Sequence, residues 1–193
     1  AQLAEHGFVV SDRASERREL RDFFRDVRES TDMLKVTVLT TLQCNFACDY
    51  CIQGDHGDYN KTAAKMSLET AARVGEWIER QLDAVAPRRL VLTFFGGEPL
   101  LNLPVLYYLS ERLHRSCAER GAQLLINIIT NGLLISREMV VRLNPLGLNG
   151  IKTTLDGDRE AHNRSRPVRG GQGTFDKIVA NVREVAHLTR VAV

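Results

Sequence analysis

Three cysteines fall within one short run, Cys44-Asn45-Phe46-Ala47-Cys48-Asp49-Tyr50-Cys51. Thiolates this close in sequence can wrap three corners of a compact metal centre. A structural zinc site takes four ligands, and so does an ordinary ferredoxin-type [4Fe–4S] site. The fourth cysteine of the chain, Cys117, lies far downstream on a predicted helix, where a lone thiol packs as a small hydrophobe. A thiolate triad lacking a fourth partner leaves one metal open to substrate, which is a catalytic rather than a structural arrangement. Two other readings stay open on the residues alone. His56 follows Cys51 by five positions and could complete a Cys3His zinc site in a non-catalytic binding module, or the thiols could be unligated and structural.

Such a loop needs a scaffold to present it. Residues 35–41 (KVTVLTT) are rich in β-branched side chains and predict a strand ending just before the cysteines. Residues 90–95 (LVLTFF), 124–130 (LLINIIT) and 151–155 (IKTTL) predict three more, and residues 190–193 begin a fifth. Helices are expected between them. Ala71, Val74, Ile78, Leu82 and Val85 step by three or four, with Ser67 as N-cap and Pro87 beyond the end. Residues 103–120 close at Gly121, and residues 136–143 and 175–188 complete the set. Four βα units and a fifth strand require an α/β fold with a parallel sheet and right-handed crossovers. The pattern allows either an open doubly wound sheet or a barrel. In both, ligands bind at the C-terminal ends of strands, where the cysteine loop falls.

The remaining sequence sets the boundaries. Residues 1–34 read as a helical extension and residues 35–193 as the main domain. In the extension, Leu20, Phe23, Phe24 and Val27 mark one apolar helix face, expected to dock beside the main domain or to bind a partner peptide. Glu19, Arg21, Asp22, Arg25, Asp26 and Arg28 form a solvated face of mixed sign. With 193 residues, 44% hydrophobic and 26% charged, the chain is neither disordered, collagen-like nor a disulfide miniprotein. No apolar run approaches the roughly 18 residues of a membrane span, so no membrane partner is expected. A formal charge of +2 with both signs interspersed gives no reason to expect a nucleic-acid partner. Clustered thiols and the lack of a secretory signal predict a reducing, cytoplasmic location. The sequence opens at Ala1 and stops at Val193 inside an apolar run, and it is expected to be a piece of a longer protein.

CxxxCxxC at the end of the first strand, with Tyr50 before the third cysteine, resembles the signature of the radical SAM enzymes. Phe95-Gly96-Gly97-Glu98-Pro99, closing the second strand, is similar to that family's GGEP element. The resemblance runs from about residue 35 to residue 193. It implies a partial TIM-type (βα) barrel with about four and a half of the family's six βα units present. It implies that Cys44, Cys48 and Cys51 each ligate one iron of a single [4Fe–4S] cluster, and that the fourth iron holds S-adenosyl-L-methionine. Tyr50 would lie near the adenine. Gly96, Gly97 and Glu98, followed by Pro99, would meet the methionine ammonium group, the glycines by close approach and Glu98 by charge. Asn131 of Thr130-Asn131-Gly132 would reach the ribose or the methionine part, although Asn-Gly is also a common turn pair. Thr154-Leu155-Asp156-Gly157 resembles the family's S-x-D-G, which would put Thr154 and Asp156 at the nucleoside. His162 and Arg166 resemble an H-D-x-x-R stretch with Asn163 in place of Asp, and Arg166 would clamp the methionine carboxylate. Gly173-Thr174-Phe175 resembles the G-[ST]-F of the same branch.

The combination resembles the SPASM-type group, which includes anaerobic sulfatase-maturing enzymes and peptide maturases. Its auxiliary-cluster cysteines do not occur in this sequence. The implied activity is that of an oxidoreductase and maturase. Reductive cleavage of S-adenosylmethionine yields a 5′-deoxyadenosyl radical that takes hydrogen from a peptide or protein side chain. A flavodoxin- or ferredoxin-like electron donor is implied as a partner. A glycyl-radical-activating enzyme is the alternative within the family, and the elements at 154–157 and 173–175 speak against it by resemblance. No residue is assigned as catalytic toward the substrate. Residues 53–62, rich in Asp, Gly and His, are expected to line its pocket.

Overall fold

The computed structural model describes residues 12–51 and 63–193. His56 and the expected pocket loop at 53–62 lie outside these residues. The chain divides into two compact units, one ending at Asp32 and one spanning Met33–Val193.

The first unit contains helix α1 (Arg13–Glu29). Asp12 caps it by accepting from the Ala14 and Ser15 amides, and Glu16 and Arg28 complement the helix dipole at either end. Leu20, Phe23, Phe24 and Val27 line one face, and no residue of this helix is buried.

The second unit is an α/β layer. Its strands are β1 (Met33–Thr41), β2 (Arg89–Gly96), β3 (Gln123–Ile129), β4 (Leu148–Lys152) and β5 (Val191–Ala192). All neighbouring pairs are parallel, and the spatial order is the chain order. A doubly wound sheet must reverse direction to place helices on both faces. Here every right-handed crossover steps the same way, so the helices collect on one face, as in a barrel wall.

The alternation of β2 and β3 shows why. Leu90, Leu92, Phe94, Leu124, Ile126 and Ile128 point to one face and are buried. Helices α2 (Leu68–Val85), α3 (Leu103–Glu119), α4 (Arg137–Leu143) and α6 (Phe175–Val185) supply the other side of this core through Ile78, Leu82, Leu106, Leu109, Leu113, Val140 and Val185. Cys117 is buried there on α3, the packing role expected of it. Between α2 and α3, Arg112 forms a bidentate pair with Glu79 at 2.9 and 2.6 Å. The opposite sheet face carries Thr37, Thr93, Asn127 and Lys152.

Some boundaries differ from the sequence expectation. β4 runs three residues earlier than 151–155, because the turn that starts it is set by Gly147, in left-handed backbone at φ 104°. A Cβ at that position would sit 2.4 Å from the Leu124 carbonyl oxygen. Helix α5 (Arg159–Ser165) was not expected, since its only buried residue is His162 and it shows no apolar period. Ser67 and Ser136 cap α2 and α4 as the pattern predicts, accepting from Thr70 and Met139.

Candidate active site

The site forms where four strand ends meet the cysteine loop. Between β1 and β2 the backbones approach closely. The Gly97 amide donates to the Thr41 carbonyl at 2.9 Å, and the Glu98 amide donates to that of Gln43 at 2.8 Å. A Cβ at Gly96 or Gly97 would lie 2.2 Å from the Thr41 or Gln43 carbonyl oxygen. The two glycines are therefore required first by this strand-to-loop contact.

Glu98 turns inward and is fully buried. Its carboxylate accepts from the Leu100 amide at 2.9 Å, the Asn131 amide at 2.8 Å and the Thr130 hydroxyl at 2.8 and 2.9 Å. It thus caps the 3-10 turn Pro99–Asn102 and ties the end of β2 to the end of β3. Desolvation raises its pKa, with the Asn131, Leu100 and Thr130 hydrogen bonds acting in the opposite direction.

The cysteine loop is pinned from the far side. Phe46 is buried and pairs with Val168, the Ala47 amide donates to the Pro167 carbonyl at 2.9 Å, and the Asp49 amide donates to that of Ser165. This pinning sets the sulfurs toward one cavity of about 250 Å³, lined by Cys44, Cys48, Cys51, Tyr50, Asn131, Thr154 and Arg166, with Gly96 and Gly97 at its edge. Two N–H groups point at the Cys44 sulfur, from the Phe46 backbone at 3.5 Å and the Asn131 amide at 3.9 Å. Asn131 is held by Asn45 at 2.7 Å and by the Leu133 amide at 3.1 Å.

Arg166 sits at the opposite wall. Its guanidinium donates to the Tyr50 hydroxyl, which donates in turn to Asp156. It also lies 5.7 Å from the centre of the Phe46 ring. Its Nε is buried with no hydrogen-bond partner, a donor left for a ligand in the cavity. A relay beneath it fixes its backbone. The Asp156 amide donates to His162 Nδ1 at 3.1 Å, so neutral His162 donates from Nε2 to the Thr174 hydroxyl at 3.0 Å. Thr174 donates to the Arg166 carbonyl at 2.8 Å. Burial, then the Arg166 charge, lowers the His162 pKa and keeps it neutral. Asn163 accepts from the Thr174 and Phe175 amides at 2.8 and 3.0 Å. An acceptor oxygen is all this position needs, so Asn serves where Asp is usual.

The sequence candidates thus divide. Cys44, Cys48, Cys51, Tyr50, Gly96, Gly97, Asn131, Thr154 and Arg166 share one cavity. Asp156 reaches it through Tyr50, while Glu98 and Pro99 lie behind it as supports. Phe46 and Asn45 were not singled out by the sequence, although their place between the cysteines was a signal.

The donor set fits a sulfur-ligated group. Burial pushes the Cys48 thiol up to about 11 and raises Cys44 above its ordinary value, so these thiols ionise readily only against a metal's positive charge. Among the described residues no three His, Cys, Asp or Glu side chains converge on a single-ion site. An iron–sulfur cluster is several ångströms across and needs no such convergence. Also among these residues, no helix is long and apolar enough to cross a membrane.

The profile of the Radical SAM superfamily matches residues 38–191. The Fe-coproporphyrin III synthase of Methanosarcina barkeri is 30% identical over 136 residues, covering 70% of this chain and 30% of that protein. The cysteine-type anaerobic sulfatase-maturating enzyme of Clostridium novyi is 27% identical over 143 residues, covering 72% and 37%. The chain therefore spans about a third of the length of these curated relatives. A solved structure, native anSMEcpe with bound AdoMet and Kp18Cys peptide, superposes with a TM-score of 0.69 at 21% identity, covering 82% of this chain and 42% of that one. The likeness shows the same fold, the partial barrel expected from the sequence.

Proposed function

The chain belongs to the radical SAM superfamily, and from that premise we propose that it is a maturase acting on a peptide or protein side chain, with Cys44, Cys48 and Cys51 holding one [4Fe–4S] cluster beside S-adenosylmethionine. Membership implies both cofactors; the three-cysteine ligation and the substrate are the proposal. Held by these cysteines and reduced, such a cluster would supply one electron for the reductive cleavage of S-adenosylmethionine, the chemistry from which hydrogen-atom removal from the substrate would follow.

The chain's own residues bind and orient. In this reading Arg166 offers its unpartnered Nε to the cofactor carboxylate, and Tyr50 keeps that guanidinium in place from the cavity wall. Asn131 and the Phe46 amide direct hydrogen bonds at the Cys44 sulfur, which stabilises the thiolate. Thr154 presents a hydroxyl to the nucleoside from the end of β4. Glu98 holds the Gly96-Gly97 edge against the Asn131 turn, so both sides of the cavity are set before anything binds. The proposal extends to residues 35–193 as the catalytic core and 1–34 as an extension, to a flavodoxin- or ferredoxin-like donor, and to a reducing cytoplasm. The peptide substrate is supported by the sulfatase-maturating relative and by the peptide in the neighbouring structure.

One observation carries the reading: three thiols separated by other residues in the chain open into the same cavity as Asn131 from the end of β3, Thr154 from the end of β4 and Arg166 from the C-terminal end of α5. The test is formation of 5′-deoxyadenosine after anaerobic reconstitution with iron and sulfide and reduction by dithionite. Wild type is expected to form it and Cys48→Ala to form none. Equal product from Cys48→Ala, or none from loaded wild type, overturns the reading.

A further inference from the structure

A second cavity, of about 410 Å³, lies on the concave face of the sheet, between Thr93, Asn127, Ile129, Gly150, Lys152 and Arg190. Ile129 borders this cavity and the cysteine cavity alike, so the two are neighbours across that side chain. Its walls are apolar along Ile129 and Ala192 and cationic at Lys152 and Arg190. The register explains the placing. Ile151 is buried under the helices, so Lys152 beside it faces the other way, opposite Ile129 on β3 and Ala192 on β5. Arg190 precedes β5 by one residue and returns to that same face. A Cβ at Gly150 would lie 3.2 Å from the Arg190 carbonyl oxygen and 3.6 Å from its Nε, so the Arg190 side chain passes beside β4 at Gly150. Lys152 and Arg190 stand two residues apart along adjacent strands, roughly 8 Å from the rise and the spacing of strands together, close enough for both to reach one ligand group.

Among the described residues neither cation has an acidic partner. Elsewhere Arg112, Arg120, Arg142 and Arg159 pair with carboxylates at 2.6–2.8 Å. Arg190 makes one 3.4 Å hydrogen bond to Asn149, Lys152 forms no ion pair among the described residues, and no Asp or Glu lines the cavity. Two cations facing an apolar-walled cavity next to the reaction centre select for an anion attached to an apolar body. We propose that this cavity is the substrate subsite and that Lys152 and Arg190 seat a carboxylate of the peptide substrate, an acidic side chain or a C-terminus. The proposal rests on the peptide-maturase reading.

The full chain, reconstituted anaerobically and immobilised, is presented with a mixed pool of random dodecapeptides, and the retained peptides are sequenced by mass spectrometry. A parallel pool carries phosphoserine in place of acidic residues. Wild type is expected to enrich carboxylate-bearing peptides several-fold, with the enrichment shrinking as salt is raised. Lys152→Gln/Arg190→Gln is expected to lose it, by about tenfold in affinity for a selected peptide, and Lys152→Arg/Arg190→Lys to keep most of it. Both residues are exposed, and a matching thermal melt confirms that the variants fold. Equal enrichment by the double glutamine variant overturns the proposal, as do preference for the phosphopeptide pool and retention of no peptide. Formation of 5′-deoxyadenosine by wild type without peptide is measured on the same preparation. Its failure counts against the underlying reading, whereas its success with unselective retention counts against the subsite alone.

Discussion

Glu98→Gln separates a structural role for this carboxylate from a ligand contact. In the wild type both carboxylate oxygens accept hydrogen bonds, and every partner is a donor: two backbone amides, of Leu100 and Asn131, and the Thr130 hydroxyl. The Thr130 oxygen accepts from the Gly132 amide at 3.1 Å and keeps a second lone pair, so it can turn to accept from an NH2 group, but each carboxylate oxygen also faces a backbone amide, which cannot reverse. A glutamine must turn its NH2 group toward one of the two backbone amides, leaving two buried donors facing each other. Each unsatisfied donor costs about 1–3 kcal/mol. Relief of the desolvation that raises the Glu98 pKa offsets part of this. The net loss is expected to be about 2–3 kcal/mol, or roughly 5–10 °C in Tm for a unit of this size. The assay is urea unfolding at neutral pH, followed by circular dichroism, on protein free of iron and S-adenosylmethionine. A variant within about 0.5 kcal/mol of wild type would refute the reasoning, since surface-like substitutions fall in that range. Glu98 would then matter only as a contact to a ligand.

Three further outcomes follow from particular contacts. Tyr50→Phe removes the hydroxyl between Arg166 and Asp156 and is expected to weaken S-adenosylmethionine binding about threefold to tenfold, measured by equilibrium dialysis on loaded protein. His162 is buried neutral with its pKa lowered from 6.5, so the unfolded state binds its proton more tightly and stability falls as pH drops below about 6.5; His162→Gln should flatten that slope in urea titrations between pH 7 and 5. The Arg112 hydrogen bonds lower the Glu79 pKa from 4.5, so this pair stabilises fully above that value and loses its contribution as pH falls below it; Arg112→Met should cost stability at pH 7 and little at pH 3.

Much of this was legible because local chemistry and global fold agree. The β-branched runs and the Ser67 and Ser136 caps placed most elements, and the CxxxCxxC run placed the loop at a strand end. What the sequence could not show depended on distant partners. The hydrogen bonds that Glu98 accepts come from Thr130 and Asn131, in the next βα unit, which no local pattern reveals. β4 was set late because Leu148-Asn149-Gly150 resembles a turn, while the true turn is at Gly147. Helix α5 carries no apolar stripe because one histidine is its whole buried face. The choice between barrel and doubly wound sheet rests on strand order, to which periodicity is blind.

The central claim is that Cys44, Cys48 and Cys51 together hold one [4Fe–4S] cluster. Iron, zinc and acid-labile sulfide, counted per chain after anaerobic reconstitution, test it most directly. About four irons and four sulfides are expected in wild type and in Cys117→Ala, with a collapse of both in each of Cys44→Ala, Cys48→Ala and Cys51→Ala. One zinc per chain without sulfide, or full iron in any of those three variants, would contradict the account.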